Sequence, residues 1–69
     1  MNYRKLTRKL QRMGWEKYRQ AAGSHEIWWH PESGNRTVIS NHGKRDIPTG
    51  TLRAIARDVG LTLQELLEK

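Results

Sequence analysis

With 69 residues, 35% of them hydrophobic and none of them phenylalanine, the chain has material for one small domain with a thin core. Thirteen lysines and arginines against seven acidic residues give a net charge of +6, the electrostatic footprint of a domain that meets a polyanion, most commonly nucleic acid. The lack of cysteine excludes a disulfide framework and a Cys-based zinc site and fits a reducing cytosol, and no apolar run approaches the ~18 residues of a membrane span.

The first ten residues are basic, with no apolar stretch behind them, so no signal peptide is expected. From Tyr3 to Met13 the apolar residues Tyr3, Leu6, Leu10 and Met13 share an arc of roughly 80° on a helix. Arg4, Lys5, Arg8, Lys9 and Arg12 fall on a separate arc of roughly 140°, so the charge forms a stripe. Gly14 follows where a left-handed cap is expected. Trp15 to Gln20 reads as a first strand, and Ala21 to Ser24 as a turn. His25 to His30 is a second strand, Pro31 to Asn35 a hairpin loop, and Arg36 to Ser40 a third, β-branched strand. Asn41 to Ile47 is a basic loop containing His42, Lys44 and Arg45. A helix opening at Pro48–Thr51 carries Leu52, Ile55, Ala56 and Val59 as its core stripe and ends at Gly60. Thr62-Leu-Gln-Glu65 has the form of a capping box, starting a last short helix that runs to the C-terminus.

This order predicts an α+β fold: a three-stranded antiparallel meander covered on one face by helices, forming a two-layer α-β-β-β-α sandwich with a short C-terminal helix. Residues 1–69 form a single domain in this reading.

Two motifs invite a function. His25-Glu-Ile-Trp-Trp-His30 is close to a zinc-protease signature, but its histidines are five apart. That spacing separates them by about 140° on a helix and puts them on opposite faces of a strand, so no metal site is expected. Residues 52–69 have the outline of a helix-turn-helix, although the second helix is short and three strands precede it. A third reading starts from Gly23-Ser24-His25. A histidine at a strand start, behind a small turn, is open to a bulky ligand and can act as general acid or base near neutral pH. RNA supplies its own nucleophile, the 2′-hydroxyl, so a base and nearby cations go far towards cleavage.

The chain resembles the HicA family, the ribonuclease toxins of HicA–HicB toxin–antitoxin pairs. The resemblance spans nearly the whole sequence. It is carried by a short N-terminal helix ending in Gly14-Trp15, by Gly23-Ser24-His25 opening a strand, and by Arg36-Thr37-Val38 and Asn41-His42-Gly43. The run Ile47-Pro48-Thr49-Gly50-Thr51-Leu52-Arg53-Ala54-Ile55 and Gly60-Leu61 complete it. Family members often carry proline after the third strand, where this chain has Ser40-Asn41.

The resemblance implies a double-stranded-RNA-binding-domain-like fold. It also implies mRNA cleavage without a metal or cofactor, in the cytoplasm, with a block on translation. The family's functional histidine maps onto His25, and a HicB-type antitoxin is expected to cover it. Lys17, Arg19, Ser24, Lys44 and Arg45 are candidate RNA contacts, the basic stripe of the first helix is a candidate extension of that track, and His42 is a possible auxiliary acid. By shared parity Ile27 and Trp29 are expected in the core. Trp28 is then outward, to stack a base or lie in the antitoxin interface. The alternative to an enzyme is a non-catalytic nucleic-acid-binding module, either of the dsRNA type or reading DNA through residues 52–69.

Overall fold

The computed structural model describes residues 1–68. Its elements are α1 (Tyr3–Arg12), β1 (Glu16–Gln20), β2 (His25–Trp29), β3 (Arg36–Ser40), α2 (Thr49–Val59) and α3 (Leu63–Leu67). The strands pair antiparallel in the order β1-β2-β3, and the helices cover one face of the sheet. The expected α+β order is therefore present.

Local chemistry sets the helix ends. Asn2 caps α1 by accepting a hydrogen bond from the Lys5 amide at 3.0 Å. Gly60 closes α2 in the left-handed conformation, at φ 80°. The capping box at α3 is complete: the Thr62 hydroxyl accepts from the Glu65 amide, and the Glu65 carboxylate accepts from the Thr62 amide. The helix stops at Leu67, and Glu68 is extended. Lys69, which the sequence reading placed in this helix, lies outside the described residues. Lys9 Nζ reaches over from α1 and donates to the carbonyl oxygens of Glu65 and Glu68, supplying positive charge at the C-terminal end of α3.

Leu6 and Leu10 of α1, Trp28 of β2, Ile39 of β3, Leu52, Ile55 and Ala56 of α2, and Leu66 of α3 meet in one core with Trp15. Tyr3, Met13 and Val59, expected in the core stripes, are partly buried against it. Thr37 of β3 is also buried and donates its hydroxyl hydrogen to Asp58 of α2 at 3.0 Å.

Strand parity is opposite to the sequence expectation. Trp28 is 3% exposed and Glu26 4%, both on the helix face, whereas Ile27 and Trp29 face the uncovered side. The outward placement of Trp28 is thus overturned, and with it any part for that ring in stacking a base. The cause is a partner set for Glu26 assembled from three elements. Tyr3 Oη donates to Glu26 Oε1 at 2.6 Å, Trp28 Nε1 donates to the same oxygen at 2.9 Å, and Lys17 Nζ stands 3.8 Å from Oε2. Burying a carboxylate without partners costs several kcal/mol. With two hydrogen bonds and an ion pair in place the charge is accommodated, and the indole N–H of Trp28 is satisfied inside the core as well.

A β-bulge interrupts β1. Lys17 pairs with Trp28 and Arg19 with Ile27, leaving Tyr18 as the extra residue. Where α1 turns into β1, Gly14 has φ 92°, and a Cβ there would stand 3.0 Å from His30 Nε2. That ring spans from the Met13 carbonyl to the Ser33 hydroxyl and fixes the far end of β2.

The environment of Tyr3 generates a measurable outcome. Burial first, and then its hydrogen bond to Glu26 and the negative charge there, push the phenol from 10.0 up to about 12. Since the folded value lies above the unfolded one, the stabilisation from this group is complete below 10.0 and is lost as pH rises through about 12. Alkaline titration followed by phenolate absorbance should show a late transition that Tyr3→Phe removes.

Candidate active site

The β1–β2 turn is built to present His25. Gly23 takes φ 60°, a conformation that side chains with a Cβ rarely adopt. Gln20 at the end of β1 clasps the turn, its side-chain amide donating to the carbonyls of Gly23 and His25 at 3.0 and 3.1 Å. The Ser24 carbonyl accepts from the Asn41 amide at 3.0 Å, which ties the turn to the start of the β3–α2 loop. His25 is exposed at the first position of β2, directly opposite Ser40.

The imidazole is oriented by its own turn. The Ala22 carbonyl oxygen accepts from the His25 amide at 3.1 Å and lies 3.0 Å from the ring Nδ1. A carbonyl oxygen only accepts, so Nδ1 carries the hydrogen. In the neutral ring the lone pair is then on Nε2, the nitrogen not engaged by the turn. An exposed imidazole with a fixed tautomer and an available Nε2 can take a proton from a substrate hydroxyl and, once protonated, return one.

The other candidates distribute unevenly around it. Arg19 pairs with Ile27 and so shares the uncovered face with His25. Lys17 pairs with Trp28 on the opposite face and is engaged by Glu26 and by the Gln20 amide oxygen at 2.9 Å. Lys17 therefore serves the buried carboxylate rather than the histidine face. Ser24 contributes its backbone carbonyl to the turn. Lys44 and Arg45 are exposed on the β3–α2 loop. That loop is held to the N-terminal segment by an Asn2–Asp46 backbone bridge.

His42 and Arg45, with Tyr3, Ser40, Asp46 and Ile47, line part of a cavity of about 340 Å³ beneath the loop. Ser40 is the cross-strand partner of His25 and also lines the cavity that His42 lines. The basic stripe of α1 lies on the outer side of the helical layer, across the sheet from His25, and does not extend its face. Among the described residues no three His, Asp or Glu side chains are grouped as a metal ion would need. In α3, Leu66 is buried while Gln64, Glu65 and Leu67 face outward, so among its described residues the candidate DNA-reading helix offers a polyanion one carboxylate and no cation.

Residues that the sequence reading did not assign to the site, Trp29 among them as an expected core residue, complete this face. Trp29 packs on Tyr18 with ring centroids 4.9 Å apart, and the Arg36 guanidinium lies 5.0 Å from the centre of the Tyr18 ring. The bulge that brings Tyr18 over to Trp29 left no mark in the alternation of the sequence.

Residues 3–61 match the family described as HicA toxin of bacterial toxin-antitoxin. The chain belongs to the HicA toxin family. It is accordingly a toxin of a toxin–antitoxin system, with an antitoxin as its partner. The match runs from the start of α1 past the end of α2 and includes His25, the turn that holds it and the basic loop, whereas α3 lies beyond it. In comparisons with curated proteins and with solved structures, nothing matches significantly. No helix among the described residues of this HicA-family toxin is long and apolar enough to cross a membrane.

The tautomer of His25 is open to direct measurement. Nitrogen-15 NMR of the neutral imidazole should report the hydrogen on Nδ1, with Nε2 as the unprotonated nitrogen. A hydrogen on Nε2 would contradict the orientation described above.

Proposed function

We propose that this toxin is an endoribonuclease that cleaves mRNA in the cytoplasm without a metal ion, blocking translation and growth, with His25 as general base. The observation that carries the reading is the exposed His25 ring, its Nδ1–H spent on the Ala22 carbonyl and its Nε2 lone pair available. In this mechanism Nε2 takes the proton of a ribose 2′-hydroxyl. The 2′-oxygen attacks the adjacent phosphorus, the bond from phosphorus to the 5′-oxygen breaks, and the departing oxygen takes a proton from solvent. The products are a 2′,3′-cyclic phosphate and a 5′-hydroxyl. Arg19 on the same face and Lys44 and Arg45 on the neighbouring loop supply positive charge for the phosphates. His42, which lines a cavity with Ser40, is the candidate for an auxiliary acid that would replace solvent in the proton transfer to the departing oxygen.

The antitoxin in this reading is of the HicB type and silences the toxin by covering His25. A surface of net charge +6 favours an acidic patch on that partner.

The test is incubation of the purified toxin with single-stranded RNA in excess EDTA, beside His25→Ala. Cleavage should persist in EDTA and leave cyclic-phosphate ends, and His25→Ala should lower its rate by about 10²- to 10⁴-fold with the fold intact. Unchanged cleavage by His25→Ala would remove this residue from the mechanism.

A further inference from the structure

The uncovered face of the sheet has a definite chemical layout. At one end stand His25 and Ser40, in the middle Ile27 and Val38, and at the other end Trp29 and Arg36, each pair matched across β2 and β3. The bulge in β1 adds Tyr18 beside Trp29. This face is not residual surface left bare by a small core. Tyr18 is 45% exposed and Val38 51%, while the polar Glu26 and Thr37 of the same sheet are buried. Two aromatic rings inclined at 52° present a π-surface to solvent, and the Arg36 guanidinium holds a positive charge against one of them. Arg19 of β1, opposite Ile27, adds a second cation to the same face.

We propose that this face is a binding track for a single strand of RNA, on which one base stacks against Tyr18 and Trp29 while Arg36 and Arg19 meet its phosphates. The proposal rests on the endoribonuclease reading and adds to it where the substrate lies. Trp29 is four residues along β2 from His25, about 13 Å at the rise of a strand. The stacked base therefore belongs to a nucleotide away from the scissile bond, and the platform positions the strand without touching the reacting atoms. Single-stranded RNA is the occupant that fits. A duplex keeps its bases stacked on one another and offers no free π-face, whereas an unpaired strand can splay a base onto an aromatic ring next to a cation. An acidic protein could use the same rings and arginines, which are common in protein interfaces, but the face runs without a break to His25, and that continuity favours the substrate as occupant.

The experiment uses the full chain carrying His25→Ala, so that RNA is bound without being consumed. Affinity for a fluorescein-labelled single-stranded RNA oligomer is read by anisotropy at fixed salt. Adding Tyr18→Ala or Trp29→Ala should weaken binding roughly 5- to 150-fold, the range seen when a base-stacking ring is removed. Tyr18→Phe and Trp29→Phe should restore most of it. Circular dichroism checks each fold, and the highly exposed Tyr18 decides the matter if Trp29→Ala does not fold. Unchanged affinity in Tyr18→Ala, no binding of the oligomer by the His25→Ala parent, or an effect confined to the antitoxin complex would each overturn the track. Failure of the endoribonuclease reading is seen separately, as the absence of cleavage of the same RNA by the chain with His25 intact.

Discussion

The buried carboxylate of Glu26 is the constraint on which the rest of the molecule depends. It lies in the central strand, on the helix face, with Tyr3 of α1, Trp28 of its own strand and Lys17 of β1 as partners. Successive strand residues point to opposite faces. Once Glu26 turns inward, His25 and Ile27 must turn outward, Trp28 must follow Glu26 into the core, and Trp29 must follow His25 out of it. The same contacts dock α1 onto β2 and β1 onto β2, so a single side chain joins three elements and selects the working face.

That choice divides a very small protein into two sides. The helix side holds the apolar core and the partnered polar groups, Glu26 with its donors and Thr37 with Asp58. The uncovered side carries a turn-oriented imidazole at one end and an aromatic pair with an arginine at the other. A HicA-family toxin must meet its target and be silenced by its antitoxin with very little surface. In the proposed reading, the reactive and the adhesive groups share one bare sheet face. The site itself asks little of the fold, because the imidazole is oriented by a carbonyl of its own hairpin turn, three residues away. The basic α1 stripe, by contrast, faces away from this site and keeps the far side positively charged.

The sequence made much of this legible. The stripes of Leu6 and Leu10 and of Leu52, Ile55 and Ala56 identify core faces because helical periodicity is a local signal. The end of α2 at Gly60 and the Thr62–Glu65 capping box follow from residue chemistry at fixed spacing. The exposed start of β2 at His25 follows from the Gly-Ser turn. The parity of β2 was not legible. His25-Glu-Ile-Trp-Trp alternates almost symmetrically, and with one indole on each face the glutamate tips a local reading towards solvent. Only its partners on α1 and β1 reverse that, and Lys17 and Tyr3 are distant in sequence. The Tyr18 bulge was hidden for the same reason: every residue of β1 is exposed, so no buried alternation marks its register.

The account stands on which indole of β2 is turned to solvent. Acrylamide quenching of tryptophan emission, compared between Trp28→Phe and Trp29→Phe, tests this directly. With Trp15 and Trp28 buried at 4% and 3% exposure, the quenchable emission belongs to Trp29. Trp29→Phe should remove most of it, while Trp28→Phe should leave it in place. The reverse result, with quenchable emission lost in Trp28→Phe and kept in Trp29→Phe, would mean that Glu26 faces solvent and that His25 stands on the helix face.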